Sequence, residues 1–140
     1  MSRLDRLLRL RELNEQARVD ALARSRRARI AAETQAEELG ALKSDYAQRI
    51  SAPGSPRSGG QMADERRFYG QLHGASTAQA QAVGRLRSDE ASRVQQYNAA
   101  YRHRRALEGV LTKREEADRV EARRAERRTS RPTSRISSVV

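Results

Sequence analysis

The 140-residue sequence has no cysteine, no tryptophan, only three prolines and only five aromatic side chains, four Tyr and one Phe. Without cysteine, neither a disulfide framework nor a thiolate metal site can form. No apolar run approaches the roughly 18 residues that mark a membrane span. Bulky apolar residues are also scarce: 36% of the chain is hydrophobic, and alanine supplies much of that count. Such a composition can bury narrow seams between helices but not a sheet-backed interior. Low hydropathy with high net charge is also the signature of a disordered chain, and only the helical periodicity below argues against that reading. The amphipathic, Arg-rich start imitates an organelle transit peptide, but Asp5, Glu12 and Glu15 are foreign to one. The expectation is a cytoplasmic protein with at most peripheral membrane association.

Catalytic material is equally thin. The two histidines, His73 and His103, stand thirty residues apart with no acidic orienter at a useful spacing. A chain that cannot wall off a dry pocket cannot readily tune a general base. Metal sites need clustered ligands, and Gly59-Gly60 precedes no phosphate-cradling GK[ST]. No enzyme activity, metal or cofactor is expected. Gly70 and Gly74 form a GxxxG pattern, which carries little outside an apolar segment. The Ser138-Val-Val140 terminus is compatible with a sheet-edge peptide ligand, but three residues match too easily to support one.

What the chain has is charge. Charged residues make up 34% of it, and the net charge is +11. Of 29 cations 27 are Arg, and residues 102–140 hold a net of +6. Basic segments of this kind meet nucleic acid, anionic lipid or acidic protein surfaces. Three clusters stand out: Arg24, Arg26, Arg27 and Arg29; Arg102, Arg104 and Arg105; Arg123, Arg124, Arg127 and Arg128. All are interleaved or flanked by Glu and Asp, and no aromatics are set among them to stack bases. Nucleic acid is therefore not an expected partner, and a solvated helix face is the commoner meaning.

The chain has one strong break, Ser51-Ala-Pro-Gly-Ser-Pro-Arg-Ser-Gly-Gly60. Pro53 and Pro56 remove backbone donors, and the glycines tolerate turns. The expected layout is a long helix over 1–51, a tip loop over 52–61, a second long helix over 62–129 and a flexible tail over 130–140, begun near Pro132. Both long segments are dense in Arg, Ala, Glu, Leu and Gln, which lose little freedom in a helix. Stepping alternately by three and four residues from Leu4 to Tyr46 gives eight apolar positions of thirteen, and so does the walk from Tyr69 to Leu111. Leu8, Leu22, Val94, Tyr101 and Val110 lie just beside these seams. The fold class is all-α: two long helices in an antiparallel coiled-coil hairpin. At 1.5 Å per residue the helices span about 75 and about 100 Å, so the second overhangs the first with residues 112–129. Five glycines weaken the helices, three of them between 70 and 84.

The order of these features resembles the flagellar FliJ family of export-apparatus stalk proteins. The similarity runs through Arg3-Leu-Asp-Arg-Leu-Leu-Arg-Leu-Arg-Glu12, Tyr46, Phe68-Tyr-Gly-Gln-Leu72 and Ala106-Leu-Glu-Gly-Val-Leu-Thr-Lys-Arg-Glu-Glu116. That family carries a gate-docking pattern near its tip, Gln-x3-Leu-x2-Tyr-x3-Tyr followed by Phe-x3-Leu-x2-Ala-x3-His. Here those spacings fall on Gln35, Leu39, Leu42 and Tyr46, then on Phe68, Leu72, Ala75 and Gln79. Leu42 and Gln79 are the two departures. Gln35, Leu39, Leu42 and Tyr46 all lie on the heptad walk and also suit a plain seam, whereas Phe68 lies one position off the second walk at Tyr69. The resemblance implies a non-enzymatic stalk whose terminal end enters a hexameric export ATPase and stimulates it. Its tip would dock on the cytoplasmic domain of an export-gate membrane protein, and it would escort unladen export chaperones. Arg114, Arg119, Arg123, Arg124, Arg127 and Arg128 are the expected ATPase contacts. An injectisome stalk, a basic nucleic-acid-binding coiled coil and a purely structural rod are the alternatives.

Overall fold

A computed structural model describes residues 2–52, 54 and 57–130. They form two α-helices, α1 (Arg3–Ser51) and α2 (Gly59–Ser130), folded as a helical hairpin, with no strand among the described residues. Pro53, Pro56 and the expected tail beyond Ser130 lie outside them; Ser130 itself is still helical.

Both helices open on reciprocal caps. The Asp5 amide donates to Ser2 Oγ, and the Ser2 amide donates back to Asp5 Oδ2, each at 3.1 Å. The Ser2 hydroxyl also donates to that carboxylate at 2.7 Å, and its hydrogen bond holds Asp5 below its ordinary value. At the start of α2 the Gln61 amide donates to Ser58 Oγ at 3.2 Å, and the Ser58 amide to Gln61 Oε1 at 3.1 Å. This Ser-x-x-Gln box satisfies two of the donors that a helix start leaves free. It helps α2 begin at Gly59 rather than at residue 62: the cap, worth about 1 kcal/mol, offsets part of the poor propensity of Gly59 and Gly60.

Arg57 closes the turn. Its guanidinium donates to the Ile50 carbonyl at 3.2 Å and also to the Arg49 carbonyl, which are orphan acceptors at the end of α1. The same group reaches Glu65 in the second turn of α2 at 2.8 Å. Gly54 takes φ +104, a conformation that L side chains rarely adopt.

The described residues divide into two compact units, one spanning 17–97 and one combining the two chain ends, 2–16 with 98–130. In the first, Leu22, Ser25, Ala32, Leu72 and Val83 are buried; in the second, Ala100 is. No described side chain is completely enclosed, because a seam between only two helices leaves one side of each contact open to solvent.

The seam of α2 follows the expected walk: all thirteen positions from Tyr69 to Leu111 are buried or half-buried. On α1 alternate positions move by one. Leu4, Arg11, Arg18, Ser25, Ala32, Leu39 and Tyr46 face inward as expected, but between them lie Leu8, Glu15, Leu22, Arg29, Ala36 and Lys43. Leu7, Ala28, Gln35 and Leu42, expected in the seam, are exposed. Polar pairs set this register. Within the first unit Ser25 donates to Asp89 at 2.8 Å, Arg18 donates to Gln96 at 3.0 Å, and Arg29 pairs with Glu90. Within the second, Arg104 pairs with Glu15. Long charged side chains hold seam positions because their stems pack while their heads find partners, which a count of apolar residues cannot reveal.

Candidate interaction surfaces

The tip quartets come together. Helical spacing puts Gln35, Leu39, Leu42 and Tyr46 along one face of α1, and Phe68, Leu72, Ala75 and Gln79 along one face of α2. Two contacts join the faces. The Tyr46 and Phe68 rings meet edge to face, with centroids 4.8 Å apart and planes at 62°. The Gln79 amide donates to the Ala32 carbonyl at 3.0 Å and to Gln35 Oε1 at 3.1 Å. Leu42 is 48% exposed and Phe68 42%, and Gln35 and Ala75 are exposed as well. Leu39, Tyr46 and Gln79 are half-buried. Leu72, at 7%, belongs to the seam and supports the surface from below. Phe68 thus combines an exposed face with a neighbour that fixes its orientation, the usual condition of an aromatic anchor.

Lys43, Tyr69 and His73 form a separate cluster nearby. The Lys43 ammonium sits 2.7 Å from His73 Nδ1 and 5.9 Å from the centre of the Tyr69 ring. A cationic lysine can only donate, so Nδ1 is the acceptor in this contact. His103 lies exposed on α2. Among the described residues no group of His, Asp and Glu is placed to hold a metal ion.

A polar network runs along the seam of the same unit. Glu90 accepts from Arg26 at 3.2 Å and from Arg29, while Glu33 meets Arg29 and Arg87, each at 3.0 Å. Burial disfavours the Glu90 carboxylate, but the hydrogen bonds from Arg29 and Arg26 outweigh it and bring its pKa below the ordinary value. The hydrogen bond to Glu90 correspondingly raises that of Arg29.

In the unit of the chain ends, Arg104 bridges Glu15 and Glu108 and lies 5.3 Å from the Tyr101 ring. Its hydrogen bonds to Glu15 and Glu108 raise its pKa further. Beyond Leu111, every described residue of α2 from Thr112 to Ser130 is exposed. The six expected ATPase-contacting arginines all lie here, in two settings. Arg114 lines a groove of about 710 Å³ with Ser2, Arg3, Leu4, Arg6, Leu7 and Leu10, and Arg119 stands 4.0 Å from Glu115. Arg123, Arg124, Arg127 and Arg128 make no ion pair among the described residues, and the last three line a smaller groove of about 390 Å³ with Ser130. The groove at the start of α1 was not legible as a surface. Leu7 is 40% exposed and Leu10 62%, although the heptad walk had placed Leu7 in the seam and the one-position shift of α1 is what frees it.

A family model described as "Flagellar FliJ protein" matches residues 1–130. The chain belongs to the FliJ family. It is accordingly a component of the flagellar export apparatus. No match was found among curated proteins or solved structures. No described helix of this FliJ-family protein is long and apolar enough to cross a membrane.

Proposed function

We propose that this FliJ-family chain is a non-enzymatic stalk that acts on a hexameric export ATPase through the end of α2 and docks on the export gate through the tip. The observation that carries the first role is the run from Thr112 to Ser130. It is helical, rich in arginine and exposed on all sides. A helix polar all round gains nothing from packing on its own chain and persists when a partner surrounds it. Many weak polar contacts of this sort can exchange as ATPase subunits change state, and the chain stimulates hydrolysis by binding alone. The second role rests on the joined quartets around Phe68 and Tyr46. Unladen export chaperones are the third class of partner, carried to the apparatus on the same stalk.

The test is ATPase stimulation by the full chain and by a chain ending at Leu111. The truncated chain should remain helical by circular dichroism and lose stimulation. Equal stimulation by both would remove the end of α2 from the mechanism.

A further inference from the structure

Beyond Leu111 the exposed helix is charged differently on its two sides. At 3.6 residues per turn, Lys113, Val120, Arg123, Arg124, Arg127 and Arg128 share an arc of about 140°. The opposite arc of similar width holds Arg114, Glu115, Asp118, Ala122, Ala125 and Glu126, with Glu121 at its edge, so it carries four carboxylates against one cation. That second arc continues the line of Ala100, Arg104, Leu107 and Leu111, the seam side of α2 in this unit. The basic arc therefore points away from the seam. Arg114 and Arg119 do not belong to it. The first overlies the Leu4, Leu7 and Leu10 groove, and the second sits by Glu115.

We infer that the basic arc of α2, with Val120 at its centre, is the side that docks on an acidic protein surface, while the Glu115–Asp118–Ala122–Ala125 side does not. This rests on the stalk reading and narrows it from the whole end of α2 to one stripe. Two observations select a protein surface over a polyphosphate. Val120 is 45% exposed in the middle of the stripe, where it offers an apolar spot that phosphates cannot use. Glu116 also lies within the basic arc, and a carboxylate there repels a continuous anionic backbone but can be spared by a patchwork of acidic side chains. The stripe also has no aromatic platform for bases. A helix whose two sides differ in charge presents a different surface at each rotational position, so a surrounding ring would hold it in preferred orientations rather than as a featureless shaft.

Two double variants separate the stripe from net charge. Arg124→Ala/Arg127→Ala and Ala122→Glu/Ala125→Glu each lower the charge by two and keep good helix formers, but on opposite sides of α2. Binding to the cognate export ATPase would be measured for the full chain and for both variants, with vesicles containing anionic phospholipid and duplex DNA as comparison probes. The expected result is at least a tenfold loss for the arginine pair and less than a twofold change for the alanine pair, with Val120→Ser weakening binding severalfold. Equal losses in both double variants would overturn the stripe and leave the stalk reading standing. Vesicles or DNA bound more tightly than the ATPase, and lost with the arginine pair, would overturn the choice of a protein surface. If the unaltered chain does not bind the ATPase, both the stripe and the stalk reading fall.

Discussion

Phe68 and Leu72 sit one turn apart on α2 and have opposite characters. Phe68 is exposed and braced by Tyr46, whereas Leu72 is buried. Phe68→Ala should therefore weaken gate binding at least tenfold, since a central aromatic can carry 2 kcal/mol or more of an interface. It should cost the fold only the edge-to-face contact, about 1 kcal/mol. Leu72→Ala should do the reverse, losing about 2 kcal/mol or more of stability and affecting binding only through unfolding. Thermal melts and binding titrations on both variants check this; a Phe68→Ala protein that is destabilised yet binds normally would make the tip an ordinary seam. Glu90 supplies a third expectation. Its pKa is depressed in the folded chain, so its stabilisation is fully present above the ordinary value of 4.5 and is lost as pH falls through the lower folded value. Glu90→Gln should lower the melting temperature at neutral pH and flatten its fall on acidification. An unchanged acid profile would contradict a role for this carboxylate in holding the seam.

At the scale of the helices, the glycines of α2 mark a removable weakness. A Cβ added at Gly70, Gly74 or Gly84 meets no atom within 4 Å, and none of these residues has a positive φ. Gly70→Ala and Gly84→Ala should each stabilise by about 1 kcal/mol and together raise the melting temperature; a lower one would mean that these glycines serve a contact or a bend. Much of the helical architecture was legible, because Pro53, Pro56 and the long stretches of helix-forming residues are local signals. The seam of α2 was legible too, since Leu72, Val83, Leu86 and Ala100 are apolar and fall on one walk of alternating three and four residues. The seam of α1 was half legible. Arg29, Glu15 and Lys43 occupy inward positions through partners some thirty to ninety residues away, and periodicity cannot report a partner. The start of α2 was missed for a smaller reason: Gly59-Gly60 reads as a turn until Ser58 and Gln61 are recognised as a reciprocal cap.

For the molecule as a whole, family membership identifies an export-apparatus component, and the two surfaces give that component its proposed division of labour. The tip pattern was legible as spacing, but only the Tyr46–Phe68 and Gln35–Gln79 contacts show that its two halves share one surface. The arginines of the α2 end were legible as charge, but their sorting into a free stripe and two occupied positions needed the groove at Arg114 and the pair at Arg119. The most direct test of the central claim, that one chain holds two different partners through these two surfaces, is site-specific photocrosslinking in export-competent cells. A photoreactive side chain would be placed at position 68 in one strain and at position 127 in another. The account predicts that position 68 captures the export-gate membrane protein and position 127 captures the export ATPase. Capture of the same partner from both positions, or of the gate from 127 and the ATPase from 68, would contradict it.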